Sequence, residues 1–564
     1  LAEEFKINLI KMDFLGLGML SLIGRCFEHV RSRTGERLRL HGFRYDPRAF
    51  DVLGRADTVG LFQVESRAQQ SFLPRLRPRN LAEVAISVGA IRPGPGAARA
   101  GEHIVRRRQR REPVSYPAPE LEPALRETYG VLLWQEQCIQ VAVTAAGYTP
   151  GEGDQLRRAM SHKRSYERLE ALTAELIARM TERGYSPRVA EAVRHMIVGF
   201  AGYGFPRSHA YAFAHLALIS ATLRLRYPAA YYAALLNCQP MGFYAPHTVL
   251  WDAHRHGIPV LPVDVNRSRW ECTLEETAPG GATPPHTLCA GGLASGEDHQ
   301  GEEQRDEQGD EQGLAIRLGL KEVQGLGGAA RETLEREQAR GPFRTLHDFV
   351  ARTGFDRETL ERLAEVGAFV SLAGGLQPPQ PQPPQPQPSR RRADVWATGE
   401  LAGFGPAHLP GLAPQIAVPT PLPPMTEWEE VQADYRGTGF SIGRHVVSYF
   451  RPRLDRLGAR RAAELPEGKR GVVTRAGGLV IVRQRPETAS HLVFFTLEDE
   501  TGLFNAIVYP QTYERLRRVL RGEPLIVLEG PLQVQDGIVH LRVRRAWSLT
   551  RDAATPSVPS HDFH

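Results

Sequence analysis

The feature that most restricts how this chain can fold is a change of period near residue 471. From about 45 to 275, apolar residues recur at helical spacing, in stretches such as Glu122–Val143, Tyr166–Arg183 and Pro187–Val198. From Gly471 to Leu549 they alternate instead, in runs at Gly471–Arg475, Leu479–Arg483, Leu492–Glu498, Leu503–Val508, Leu525–Leu528 and Val539–Arg545. A pattern of period two does not lie down as a helix, nor a 3.6-residue pattern as a strand. The chain must therefore hold at least one mainly helical body and one separate sheet body.

The sheet region carries one helical segment, Gln511 to Leu520, between its fourth and fifth runs. Short strands with one helix in that place suggest a small closed barrel of the oligonucleotide-binding type. Two shorter segments ahead of it, Leu318–Ala330 and Phe355–Phe369, read as helix, tight turn, helix. The Pro/Gln run Gln377 to Pro388 has too few backbone donors for a helix or sheet interior, and opens a linker to about Pro424. An acidic stretch, Gly296 to Gly313, has no apolar period and reads as a solvated surface insertion. The expected fold class is multidomain α+β. Its segments are 1–25 (strand, turn and helix start), 26–315 (helical, with the 296–313 insertion), 316–372 (tandem hairpins), 373–425 (linker), 426–463 (a connecting helical segment), 464–550 (barrel) and 551–564 (a disordered tail).

Net charge is +6, with arginine as the main cation, which is compatible with a polyanionic partner. The five cysteines form no CxxC pair, so structural zinc and a disulfide framework are both unexpected. No apolar run reaches the length of a membrane span and no signal peptide is visible, which points to the cytoplasm. Leu1 enters directly on a strand-like segment, so the chain is expected to begin inside a domain.

Several segments carry chemistry. Ile10–Leu17 places Lys11 and Asp13 two residues apart in an apolar run, on one face of a strand, either as an ion pair or as a site for a metal or phosphate. Asp57–Arg67 is followed by Ile91–Gly96, where prolines and glycines hold Arg92 on a stiff turn, either a phosphate contact or a helix stop. Arg106, Arg107 and Arg108 with Arg110 and Arg111 make a dense basic run, either solvated or against a duplex backbone. Gln135-Glu136-Gln137 precedes a helix bearing Arg157 and Arg158, with Lys163 beyond, a positive corner suited to a triphosphate. Gly202–Ala212 packs aromatics with Arg207, Ser208 and His209, where Ser208 is a candidate N-cap. Gly325 and Gly327 turn backbone amides outward in the first hairpin, where they can hold a DNA phosphate. On the barrel, Arg483, Arg485 and Phe495 belong to a mixture of arginines and aromatics suited to stacking a single strand. There is no Ser-His-Asp triad, Walker A loop or HExxH.

In this order, Lys11–Leu17, Thr58–Ser66, Arg92–Pro95, Gln135–Gln137, Leu156–Met160 and Gly202–Ala210, followed by the hairpins and barrel, resemble the bacterial C-family DNA polymerases, the polymerase III alpha subunit family. Phe62–Leu76, Val480–Pro486 and Leu497–Gly502 are most similar to its error-prone subgroup. The resemblance implies a palm remnant over 1–25, helical fingers over 26–315, tandem helix-hairpin-helix elements and a C-terminal barrel. It implies Asp13 as one of three carboxylates holding two Mg²⁺ ions, Lys11 at the incoming nucleotide, and Arg157 and Arg158 at the triphosphate. Lys163, Arg207, Ser208 and His209 complete the implied nucleotide contacts. The implied partners are primer-template DNA, deoxynucleoside triphosphates, a sliding clamp and a damage-tolerance accessory protein, in the nucleoid. The PDxDxDF segment of the family, with the other two aspartates, has no match here, so the chain is expected to be a fragment that binds DNA without extending it. The rival expectation is a non-catalytic DNA-binding subunit derived from such an enzyme.

Overall fold

The computed structural model describes residues 18–91, 95–161, 166–200, 204–242, 244–277, 313–372, 389–403, 422–485, 491–535, 538–550 and 561–563. Lys11, Asp13, Arg92 and Lys163, the acidic insertion up to residue 312 and the Pro/Gln run lie outside them. The fold is mixed α+β in two compact units, 1–43 with 226–449 and 552–559, and 44–225 with 450–551 and 560–564. No helix among the described residues is long and apolar enough to cross a membrane.

In the first unit, helix Met19–Thr34 packs its buried face (Met19, Leu22, Ile23, Cys26, Val30) against helix Pro228–Asn237. A three-stranded sheet has Leu314–Arg317 at its centre, parallel to Val260–Leu261 and antiparallel to Thr273–Glu276. Helices Leu346–Thr353 and Arg357–Glu365, capped by Thr345 and Asp356, form one hairpin. Phe349 is its hub, with Phe343, Phe369 and Phe355 at ring-centre distances of 4.8, 5.2 and 5.9 Å. Both hairpins differ from expectation. Phe355–Phe369 holds the single helix Arg357–Glu365, preceded by Leu346–Thr353 outside that segment, rather than two helices about a turn. The Leu318–Ala330 segment does not hold two helices either. Before the glycine turn there is only the 3₁₀ turn Leu320–Glu322, continuing from the sheet, and one full helix, Gly328–Ala339, follows.

The second unit holds the helices between 48 and 226 and the barrel. The expected long helix over Glu122–Val143 is broken into Glu122–Leu125, a 3₁₀ turn at Arg126–Thr128, and Gln135–Ala146. Tyr129 and Gly130 lie between them in the left-handed region, at φ 56° and 76°, which stops a helix whatever the apolar spacing. The barrel closes as Val473–Gln484, Val493–Asp499, Gly502–Val508, Ile538–Arg542 and Leu525–Gln535, the last pairing back onto the first. Helix Pro510–Gly522 sits between the third strand and Leu525–Gln535 in sequence. Alternation sets the interior: Phe504, Ala506 and Val508 face inward beside Phe495, Leu497, Ile526 and Leu541.

Candidate functional site

Four of the sequence segments meet in the second unit, and Gln137 begins the arrangement. Its side-chain oxygen accepts the backbone N–H groups of Leu133 and Trp134, both at 2.9 Å. Its amide nitrogen donates to the Ala124 carbonyl at 3.0 Å and to Thr128 Oγ1 at 2.7 Å. The approach to helix Gln135–Ala146 is thereby fixed as extended chain, and Trp134 pairs with Phe205 as a parallel bridge. Gln135 N–H donates to the Phe205 carbonyl at 3.0 Å, and its side chain donates to the Gly204 carbonyl at 2.9 Å. Gly204 has no room for a side chain, since a Cβ there would lie 2.8 Å from Gln135 Cγ and from the Phe200 ring.

The Glu136 carboxylate accepts the Arg207 backbone N–H at 2.9 and 3.1 Å, a negative charge at the positive end of helix Arg207–Arg226. Ser208 is not the cap expected of it. The helix already begins at Arg207, and the Pro206 carbonyl accepts from Ala210 N–H at 3.1 Å, so the exposed Ser208 lies inside the first turn. The Arg207 guanidinium pairs with Glu127 and lies 5.5 Å from the Tyr211 ring. His209 is exposed at one edge and stands edge-on to Phe205 and Phe213, with ring centres 5.1 and 4.1 Å away. Phe213 also meets Phe62 at 5.2 Å, which brings in the 57–67 segment. Arg224 holds that segment in place through the Asp57 carbonyl at 2.6 Å, the Asp57 carboxylate at 2.9 Å and the Val59 carbonyl at 3.3 Å.

The cationic side of this corner is helix Pro150–Ser161. Arg157 Nε lies 2.7 Å from Asp154 and its Nη1 donates to Gln135 Oε1 at 3.1 Å. Arg158, largely exposed, shares Asp154 at 2.8 Å. Arg157 holds the Asp154 carboxyl below its usual range, so the carboxylate stays charged and orients both arginines. The 150–161 and 166–182 helices are tied by Arg179 to Glu152 at 2.8 Å. That contact, with Thr149 N–H and hydroxyl, pushes Glu152 down to about 2. A value below the ordinary 4.5 stabilises the fold above that pH and ceases to as pH falls towards 2. The urea midpoints of the parent and of E152Q should therefore differ slightly at neutral pH and draw together between about 4.5 and 2. A constant gap would overturn this assignment.

The remaining expected contacts are dispersed. Arg107 pairs with Glu112 at 2.9 Å and donates to the Tyr129 carbonyl at 2.8 Å, and Arg108 pairs with Glu83 at 2.8 Å, so both guanidinium groups serve the fold. Arg106 pairs with Glu102 at 3.1 Å on the surface, where half its side chain stays exposed. Gly325 (φ 87°) and Gly327 are exposed in their turn, with the Arg362 guanidinium against Gly325 and donating to the Gln324 carbonyl at 3.0 Å.

The barrel departs furthest from expectation. Phe495 is wholly buried in the core and is not available for stacking. Arg483 donates to the Leu520 and Glu523 carbonyls at 2.9 and 3.1 Å and so holds the helix to the strands, while Arg485 is exposed. Phe494 is covered by Arg67, whose guanidinium carbon lies 4.2 Å from the ring centre. Burial pushes Arg67 down to about 9. This link between helix Arg67–Leu76 and the barrel was missed in sequence. Its only local signal is an arginine directly after the capping residue Ser66.

Two families match the chain. The finger domain of the bacterial DNA polymerase III alpha subunit matches residues 19–184, and a helix-hairpin-helix motif matches 257–376. The chain is 42% identical to an error-prone DNA polymerase of Anaeromyxobacter sp. (strain K), over 99% of this chain and 46% of that protein. It is 40% identical to an error-prone DNA polymerase of Methylococcus capsulatus, over 99% and 50%, and 38% identical to one of Rhodopirellula baltica, over 99% and 45%. The chain thus spans about half the length of the curated relatives it matches.

Proposed function

We propose that this chain, which carries a polymerase III alpha finger domain and a helix-hairpin-helix motif, is the nucleotide-gripping and DNA-gripping half of an error-prone DNA polymerase. The observation that carries the reading is the convergence of Arg157, Gln135, Glu136 and Arg207, which come from three separate segments, on one corner. Residues 1–25 would be a palm remnant, 26–315 the fingers with an insertion at 296–313, 316–372 the tandem hairpins, 373–425 a linker, 426–463 a connector, 464–550 the barrel and 551–564 a tail. Arg157 and Arg158 would take the triphosphate, aided by Lys163 and Arg207, with Ser208 and His209 beside it. Asp154 and Gln135 keep Arg157 aimed while no ligand is bound. Arg92, Arg106, Gly325, Gly327 and Arg485 would meet DNA.

Mg²⁺ bound in such a site activates the primer hydroxyl and neutralises the leaving pyrophosphate. Of this chain's residues only Asp13, with Lys11 beside it, is assigned there. Asp13 alone does not hold a two-metal centre, and no PDxDxDF segment occurs in the 564 residues. This chain is therefore assigned binding rather than primer extension. The proposed partners are primer-template DNA, deoxynucleoside triphosphates, a sliding clamp and a damage-tolerance accessory protein, at the nucleoid.

Titration of labelled primer-template with this chain should show affinity falling at least ~100-fold between 50 and 200 mM salt, as expected when several phosphates are neutralised. No extension should occur with Mg²⁺ and deoxynucleotides. A flat salt response would refute the DNA-binding role, and primer extension would refute the division of labour.

A further inference from the structure

Closing the barrel leaves strand Val473–Gln484 with two overhangs. It pairs with Leu525–Gln535 from Val473 to Leu479, and with Val493–Asp499 from Leu479 to Gln484. A strand has two sides, so each barrel neighbour covers one side over only part of the length. The chain covers both remainders with short parallel strands. Ala459–Arg460 lies along Arg475 and Ala476 at the first overhang. At the second, Val480 N–H goes to the Pro524 carbonyl at 2.8 Å, and beyond it the barrel strands leave that side open. Here His561–Phe563 pairs, with His561 opposite Val482, Asp562 opposite Arg483 and Phe563 opposite Gln484.

The second overhang is the hazardous one. Leu479, Val480, Ile481 and Val482 are consecutive apolar residues, three of them β-branched, without the charge or proline that blunts a natural edge. Left bare, an edge of this composition templates a strand from another chain. Arg483 does not guard it, because its guanidinium is spent on the Leu520 and Glu523 carbonyls. The covering strand is three residues long, and residues 551–560 tether it to the barrel. It holds by a few backbone hydrogen bonds and by the roughly millimolar effective concentration that a short tether confers. Such a strand lifts off far more readily than the barrel unfolds. We infer that His561–Phe563 is a detachable seal, which occupies the barrel edge at Val482–Gln484 by backbone pairing and denies it to the same edge of a second copy of this chain. Two copies with that edge bare would join as an antiparallel, self-complementary pair.

The test compares the full chain with D562P/F563P, whose adjacent prolines remove backbone donors from both alternating sides of the tail strand and leave the barrel sequence unchanged. Hydrogen exchange over Val480–Gln484 should quicken about tenfold or more in the variant, with exchange at Leu497 and Ala506 in the barrel core unchanged. Sedimentation velocity should show a dimer whose share grows with concentration in the variant and not in the parent. A synthetic peptide of residues 551–564 should restore the protection and dissolve the dimer, and the same peptide with both prolines should do neither. Labelled with a fluorophore, the unmodified peptide should bind the parent at least ~10-fold more weakly than the variant, because the tethered strand competes with it. Matching thermal midpoints would establish that the barrel folds in both chains. Equal exchange over Val480–Gln484 in parent and variant, or equal peptide affinity, would overturn the inference. So would faster exchange without a dimer, since the strand would then seal nothing, and a dimer that the peptide leaves intact, since its contact would lie elsewhere.

Discussion

Replacement of Gln137 by leucine is expected to destabilise the second unit by about 1–5 kcal/mol: two buried N–H groups left without acceptors cost ~1–3 kcal/mol each, ~2–6 in sum, less ~1 kcal/mol gained from apolar packing. The side chain is 3% exposed and makes four hydrogen bonds, so every polar atom it brings into the core is matched. Leucine has a similar volume, which leaves little cavity term, and the loss is one of polar satisfaction. Urea denaturation should show a lower midpoint at unchanged slope. The same change frees the Leu133–Trp134 segment, so the Trp134–Phe205 bridge should open locally and amide exchange at Gln135 should rise beyond the global effect. A loss under 1 kcal/mol would mean that water or a shifted neighbour replaces the amide, and Gln137 would no longer anchor the site.

Gln137 also shows what was and was not legible in the sequence. Gln135-Glu136-Gln137 read as one polar motif, yet the helix turns its members in different directions. Gln137 faces the core, while Gln135 and Glu136 reach Gly204 and Arg207, some seventy residues away in sequence. No local pattern carries that pairing. The barrel was legible because alternation is a strong signal over short strands, and the helix before Leu525 was placed nearly to its ends. Its first strand was not, because the Gly477–Gly478 pair reads as a break between two runs whereas Val473–Gln484 runs straight through. The Leu454 side chain passes so close that a Cβ on Gly477 would lie 2.4 Å from it, so the glycine marks a close approach rather than a turn. Period two likewise showed that Phe494 and Phe495 face opposite ways without showing which way was inward. Charge was the least legible property. Arg107, Arg108 and Arg483 look identical in sequence to arginines that meet a ligand, and only the position of a distant carboxylate or carbonyl makes them structural.

Arg157 and Arg158 carry the other large effect. Both share Asp154, which orients them without matching their combined charge, and Arg157 is further held by Gln135, whose own amide is fixed on Gly204. A polyphosphate entering this corner exchanges one carboxylate shared by two cations for several phosphate oxygens, at ~1.5–3 kcal/mol for each charge-assisted hydrogen bond. R157Q/R158Q should therefore bind a fluorescent deoxynucleoside triphosphate about 10²–10³-fold more weakly, equivalent to ~3–4 kcal/mol. Q135A should cost less, about three- to tenfold, because it loosens Arg157 without removing its charge. D154N separates aim from charge. It leaves both cations in place but removes the carboxylate that orients them and competes with the phosphate, so tighter binding at low salt with a steeper salt dependence is expected. Equal triphosphate affinity in R157Q/R158Q and the parent, with both folded, would remove this corner from the nucleotide site and leave Asp154 as the anchor of a purely structural ion pair.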